Sequence, residues 1–354
     1  MKKICFVTMG NIYTVPYLST YTDHIEGSYS VIYWDREGKD EAGGENTYYR
    51  FNKKLSPTDK LGKITGFLQY KNFVKHILWK ENFDLVIFLQ TWSALLMADV
   101  AQKHYSGRYI VDVRDYTYEK KAIIYRREKK LMEHAAMCVI SSEGYKAFLP
   151  PHHYYIIHNA RKLDSEKVIA IRERNKEKAV LNIAFIGYVN YQDQHKKLLK
   201  SLKNDPRFHL SFVGTRAMEL EAFCNENGIR NVTLMDTFDG TKILDFYENT
   251  DFVNNLYGNH TPVLDYALSN KLYFAAELRI PILTCSDTYM NQISSQYGFG
   301  FSINVDDPLV GDKLWKYYSA IDWGAFESGC REFLEKVQKE NNESTEALKN
   351  ILSN

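Results

Sequence analysis

Several features that would settle the class of a protein at once are missing from this sequence. It has five cysteines, Cys5, Cys138, Cys224, Cys285 and Cys330, and none falls in a CxxC or CxxxxC pair. An odd, scattered set excludes a disulfide framework and a cysteine zinc site, and reads as reduced thiols in a cytosolic protein. Charge of one sign is missing too: 45 Lys and Arg face 44 Asp and Glu, a formal net charge of +1. A dedicated nucleic-acid binder would carry a strongly basic domain, so no nucleic-acid partner is expected. Long apolar runs are also absent. The most apolar stretch, LVIFLQTWSALLMA at 85–98, is broken by Gln90, Thr91 and Ser93 and falls short of the roughly 20 residues that span a bilayer. The opening MKKICFVTMG has a short apolar stretch with no small-residue cleavage site, and is expected to be a first core strand, not a signal peptide. Neither GxGxxG nor GxxxxGK[ST] occurs, which lowers the rank of nicotinamide dehydrogenases and P-loop NTPases.

What is present is a long series of short apolar runs. Six lie at 4–9, 29–34, 84–89, 108–113, 137–142 and 154–159. Six more lie at 181–187, 208–214, 231–236, 251–256, 280–284 and 298–303. Unbroken runs rich in Val, Ile and Phe suit parallel strands buried on both faces. Between them come helical patterns such as 66–82, where Phe67, Tyr70, Phe73, Val74, Ile77 and Leu78 share one face. Parallel strands need helical crossovers, so the alternation predicts α/β architecture in two Rossmann-like, doubly wound domains. The length of 354 residues agrees with two domains at ~150 residues each. The polar stretch 160–180 supplies the boundary. The expected division is 1–165, 166–308 and a helical C-terminal segment 309–354 whose polar end frays. Segment 35–62, polar and glycine-rich, reads as a surface excursion of the first domain.

In doubly wound sheets, ligands sit beyond the carboxyl ends of the strands. The residues there are Gly10-Asn11, Gly187-Tyr188-Val189-Asn190 and Gly214-Thr215-Arg216. Glycine at such a turn lets backbone approach a ligand, and Arg216 suits a phosphate. The sharpest feature is LDYALSNKLYFAAELRIPILTCSDT at 264–288. Ser269 is placed to cap a helix that begins at Asn270-Lys271, whose free N–H groups, dipole and lysine would suit a diphosphate. The alternative is an ordinary capped helix with a solvated lysine. The pairs His152-His153 and His104-Tyr105 lack metal-ligand partners at useful spacing, so no metal is expected.

The stretch SNKLYFAAELRIPIL resembles the PNKLYEYxAxGKPVI segment of bacterial GT-B glycosyltransferases of the capsule, O-antigen and exopolysaccharide type (group 1, family 4-like). The order of landmarks along the chain is similar too: NFDLVIF, RYIVDVRDYTYEK, CVISSEGYKAFLP and YYIIHNA, then IAFIGYVNYQ, FVGTR, NVTLMDTF and ILDFYENTDFVNNLY. The resemblance implies two Rossmann-like domains facing a cleft, with C-terminal helices. It implies transfer of a sugar from a nucleotide-sugar donor to a glycan or polyprenyl-linked acceptor, in the cytoplasm or peripherally at the inner face of the cell membrane. No cofactor and no metal are implied. Gly187, Tyr188, Arg216, Asn270 and Lys271 would surround the donor diphosphate. Asp236, Thr237 and Phe238 would lie near the base, and Asp265 nearer the sugar. Arg114-Asp115 stands where relatives often have His-Asp, which makes Asp115 the candidate beside the acceptor hydroxyl, with Asp112 and His24 as further candidates by position. An ion pair between Arg114 and an aspartate is the structural alternative. Gly10 and Asn11 would face the cleft.

Two positions depart from the pattern. Phe274 replaces the acidic residue three positions after the motif lysine, with Glu277 one turn further on, and Arg279 replaces the glycine before the motif's end. Two other readings stay open, a nucleotide-sugar 2-epimerase of the same fold and, because of Phe274, a catalytically silent partner subunit. Finally, EKKAIIYRREKKLMEH at 119–134 predicts a basic helix that rests on anionic lipid or packs on the sheet through Ile123 and Ile124. The charge is unevenly divided: residues 1–165 hold 24 Lys and Arg against 18 Asp and Glu, and the remainder 21 against 26. Any membrane contact is therefore expected from the first domain.

Overall fold

The computed structural model describes residues 2–54 and 60–353. Among them, seven strands form one sheet: β1 (Ile4–Thr8), β2 (Ser30–Asp35), β3 (Thr47–Asn52), β4 (Leu85–Leu89), β5 (Tyr109–Val113), β6 (Met137–Ile140) and β7 (Tyr155–Ile156). Six more form a second: β8 (Leu181–Ile186), β9 (Phe208–Val213), β10 (Val232–Met235), β11 (Phe252–Asn254), β12 (Ile282–Thr284) and β13 (Gly300–Ser302). The orders are β3-β2-β1-β4-β5-β6-β7 and β10-β9-β8-β11-β12-β13. Every pairing is parallel: Phe6 lies opposite Val31 and Ile87, and Ala184 opposite Ser211 and Val253. Each order reverses beside its first strand, between β1 and β4 and between β8 and β11. Ligand crevices form at such switch points.

The apolar runs became strands because helices cover both faces. β1, β2, β4 and β5 are buried at every position, whereas the edge strands β3 and β13 are not. The chain falls into two units, Met1–His158 with Lys339–Asn354, and Asn159–Gln338. The long helix Trp323–Ser353 is therefore divided between them. Phe326, Cys330, Phe333 and Val337 enter the core of the second unit, and Leu348 that of the first. Its end is not frayed. Ser344 is buried and donates to the Ile156 carbonyl at 2.6 Å, and Glu340 meets His158 at 2.7 Å.

Segment 35–62 is not simply a surface excursion, because it contains β3; its residues 55–59 lie outside the described residues. The edge strand is pinned by Asp35, fully buried at the end of β2. Arg50 of β3 reaches Asp35 Oδ2 with Nε at 2.9 Å and Nη2 at 2.7 Å, and the N–H groups of Glu37, Gly38 and Lys39 donate to Oδ1. Burial alone would push this carboxyl up; Arg50, Asn11 and the backbone donors outweigh it and hold the group well below the usual range. Hydrophobic pattern carried no trace of this strand, because at the sheet edge it is only half-buried, with Tyr48 against one core and Phe51 against Tyr70 and Phe73, and it has no unbroken apolar run.

The basic helix occupies Ala122–Glu133, with Ile124 half-buried. Ile123 is 69% exposed, while Glu128, Leu131 and Met132 face inward. Neither carboxyl oxygen of Glu128 has a hydrogen-bond partner among the described residues. Burial, and then the neighbouring Glu119 carboxylate, push its pKa well above the usual carboxylate range. The folded pKa lies above the unfolded value of about 4.3, so the folded chain binds the extra proton between these two values. Stability is therefore expected to fall as pH rises above about 4.3, until the folded carboxyl has ionised. Glu128→Gln should flatten that slope in urea denaturation followed from pH 5 to 9; an unchanged slope would place the titrating group elsewhere.

Candidate functional site

The switch point of the second sheet brings together the turns after β8, β9 and β11 and the N-terminus of the helix Asn270–Leu278. Gly187 and Gly214 end β8 and β9 with φ of +129° and +127°. A Cβ on Gly214 would fall 2.1 Å from the Gly187 carbonyl oxygen, and one on Gly187 would face Lys271 Nζ at 3.6 Å. The two glycines thus let one turn lie against the next and leave the lysine uncovered on that side.

Lys271 is the centre of this arrangement. It is only 6% exposed, and its Nζ lies 4.0 Å from the Phe185 ring centroid and 5.0 Å from that of Tyr257. Its hydrogen bond goes to Tyr257 Oη at 2.7 Å, and it forms no ion pair among the described residues. His195 packs edge-on against Phe185 at 4.6 Å, fully buried, with no hydrogen-bond partner for either ring nitrogen among the described residues. Burial and the Lys271 charge push its pKa down to about 3, so it stays neutral and adds no second cation. A buried, aromatic-caged ammonium without a carboxylate is an open demand for an anion.

The helix N-terminus makes the same demand. Ser269 occupies the cap position, but its hydroxyl donates to Asn255 Oδ1 at 2.6 Å and caps nothing. The expected Ser269 cap is therefore absent, and Lys271 is not a solvated lysine. Both differences have one cause: β11 delivers Asn255 and Tyr257 to the place where the helix begins. These partners come from elsewhere in the chain, and the local pattern around 269–271 held no sign of them. Tyr257, Phe185 and His195 are the site residues that sequence reasoning missed.

The other expected residues are placed unevenly. Arg216, with φ +71°, lies in the same group of turns, 5.8 Å from the exposed Tyr188 ring. Its guanidinium is already met by both Glu219 oxygens at 2.9 Å and by Asn190 at 2.8 Å. Thr237 touches Thr215 at 3.1 Å, which ties the Asp236-Thr237 turn to the turn after β9; Asp236 accepts from the Thr237 N–H. Phe238 is half-buried and packs on Phe246 at 4.7 Å, against the core of the second unit. Asp265 is half-buried in the short helix Pro262–Tyr266, with one carboxylate oxygen unpartnered among the described residues. Asn270 opens the main helix. Phe274 stacks on Tyr247 at 5.1 Å, and Glu277 is bound to Arg172 at 2.8 Å.

In the first unit Arg114 lies in the ion pair that the sequence left open. It is buried, its Nε and Nη2 reach the two Asp112 oxygens at 2.6 and 2.8 Å, and its Nη1 donates to the Ile157 carbonyl. Tyr21 donates to the same carboxylate at 2.7 Å. Asp115 stands apart, exposed at its surface; the protein packed around its carboxyl raises its pKa, and Arg114 opposes this. Asn11 is buried and closes on Asp35 and Glu41, and Gly10 precedes it, half-buried. Among the described residues no cluster of His, Cys, Asp or Glu is placed to hold a metal ion, and no helix is long and apolar enough to cross a membrane.

No protein-family model matches the sequence. A segment of 145 residues is 28% identical to an uncharacterized protein of Acanthamoeba polyphaga mimivirus, spanning 38% of this chain and 39% of that protein. Solved structures are similar over nearly the whole chain. Sucrose-phosphate synthase from Thermosynechococcus elongatus aligns with a TM-score of 0.69 at 11% identity, covering 96% of this chain and 94% of its own. WaaG, a glycosyltransferase involved in lipopolysaccharide biosynthesis, aligns at 0.63 and 13% identity, covering 97% and 98%. HepE from Anabaena, in complex with UDP and glucose, aligns at 0.63 and 11% identity over 100% of both chains. The fold is that of the GT-B glycosyltransferases, two parallel-sheet α/β units.

Gly214→Ala should cost on the order of 3 kcal/mol, from backbone strain and the clash with Gly187. Gly298→Ala also has positive φ but meets open space, and should cost only about 1–2 kcal/mol. Urea denaturation of both variants checks the ordering.

Proposed function

We propose that this protein is a glycosyltransferase that binds a nucleotide-sugar donor in its second unit and passes the sugar to a glycan or polyprenyl-linked acceptor in bacterial surface polysaccharide assembly. One observation carries the reading: a buried, unneutralised Lys271 at an uncapped helix N-terminus, opposite two glycine turns. A diphosphate satisfies both the ammonium and the free N–H groups. The similarity to WaaG and to HepE, whose crystals contain UDP and glucose, supports the choice of a nucleotide sugar.

The chemistry follows from the same geometry. As the glycosidic bond to the diphosphate breaks, negative charge grows on the leaving oxygen. Lys271 and the helix dipole stabilise that charge in place of a metal, more strongly in the transition state than in the ground state. Gly187 and Gly214 admit the diphosphate to backbone distance, and Tyr188 and Arg216 border it. Asp236 and Thr237 border the base, and Asp265, with its unpartnered oxygen, the sugar. Asp115 is the acceptor-side candidate for taking the hydroxyl proton, since a raised carboxyl pKa strengthens a base. Arg114 acts through Asp112 as a positioning residue. Phe274 leaves the donor ribose without the family carboxylate, and Glu277 does not replace it because Arg172 holds it. The site of action is the cytoplasm, with peripheral contact to anionic lipid through 119–134.

A thermal-shift panel of UDP, GDP and CDP should raise the melting temperature with one base preferred. Lys271→Ala should weaken that nucleotide about 10- to 100-fold, the scale of one charge-assisted contact; Lys271→Met retains the apolar stem as a folding control. Unchanged affinity would place the phosphates elsewhere. With lipid extract present, acceptor-dependent nucleotide release supports the transferase. An isomerised donor without release would make it a 2-epimerase, and no nucleotide binding would make it a silent subunit.

A further inference from the structure

The switch point of the first sheet carries a second site. Met9, Arg36 and Gln90 directly follow β1, β2 and β4, and with the helices Lys60–Glu81, Thr91–Leu96 and Ala122–Glu133 they line a groove of about 620 Å³. Its walls are apolar: Phe67, Leu68, Trp92, Leu95, Leu96 and Ile124. The volume is in the range of small-molecule sites, and the lining continues outward. Leu68 is 58% exposed, as is Ile64 one helical turn before it, and Trp92 is 45% exposed with Tyr118 tilted against it at 6.4 Å.

Three cations border these walls, and two are already engaged. Lys71 is paired with Asp99 at 2.8 Å, and Arg127 donates to the Leu95 carbonyl at 3.2 Å. Arg36 is different. Its guanidinium lies 4.6 Å from the Trp34 ring centroid, its Nε is buried without a hydrogen-bond partner, and it forms no ion pair among the described residues. A guanidinium held against apolar walls with no counter-charge is costly unless an anion meets it, and its planar fork matches a phosphate.

We propose that this groove binds a long-chain alkyl phosphate, a single-chain anionic lipid, with the phosphate on Arg36 and the hydrocarbon along Phe67, Leu68, Trp92 and Leu96. The headgroup sits inside, at the carboxyl edge of the sheet, and the chain leaves past Leu68 and Ile64 toward the surface. Arg127 of the Ala122–Glu133 helix lines the same groove, and the basic residues of that helix favour an anionic surface. The site lies wholly in the first unit, so a failure of nucleotide binding in the second would leave it standing.

Calorimetric titration of the purified full chain tests this, with dodecyl phosphate kept below its micelle concentration. Stoichiometric binding is expected, at least tenfold tighter than dodecyl maltoside or inorganic phosphate. Arg36→Gln should weaken it tenfold or more, with Arg36→Lys intermediate, and Leu68→Glu, a surface change, should weaken it without unfolding. Equal affinity for the neutral and anionic chains, or an unaffected Arg36→Gln of wild-type circular dichroism, would overturn the proposal. So would binding to phosphatidylglycerol vesicles with none to dodecyl phosphate, since the basic surface alone would explain that result.

Discussion

Parallel pairing is the constraint on which everything else in this protein depends. With every strand running the same way in each sheet, each return needs a crossover, and the crossovers bury both faces of the central strands. Side chains within those strands are then committed to packing. Only residues just beyond the carboxyl ends remain free to meet a ligand, and they converge where the strand order reverses. Both units follow this rule independently. Gly187 and Tyr257 follow β8 and β11, and Met9 and Gln90 follow β1 and β4.

Buried cations separate architecture from function here. Arg50 and Arg114 lie against buried aspartates and are met by two carboxylate contacts each, which fixes an edge strand in one case and the turn after β5 in the other. Lys271 is buried and Arg36 half-buried, yet aromatic rings are their nearest company and neither forms an ion pair among the described residues. Uncompensated charge in a protein interior is destabilising, so it persists where a ligand completes it. The neutral His195 beside Lys271 and the diversion of Ser269 to Asn255 serve the same end, because both leave the anion demand unsatisfied from within.

The departures from the glycosyltransferase pattern are absorbed structurally. Phe274 stacks on Tyr247 and joins the core, which replaces a polar contact by packing. Glu277 is turned to Arg172, and Arg279 takes the left-handed conformation a glycine would have held, with its guanidinium 2.6 Å from Glu327. The helix that carries Lys271 is thus held at its C-terminal end by two ion pairs, and it remains intact without the family carboxylate.

Twelve apolar runs were legible as strands because burial on both faces leaves a strong local signature. β3 was not, since TYYRFN is only half-buried at the sheet edge and owes its place to Arg50 reaching a buried Asp35. The glycine turns and the Asn270-Lys271 helix start were also legible, being local backbone chemistry. The cage of Phe185, Tyr257 and His195, the pairing of Arg114 with Asp112 and the inward-facing Glu128 were not. The sequence by itself determined the alternation of strand and helix, the two-unit α/β fold and the positions of the turns, all of which follow from periodicity and backbone preference. Only the tertiary structure decided which charges are neutralised and which are left open, because that depends on partners that lie far apart in the chain.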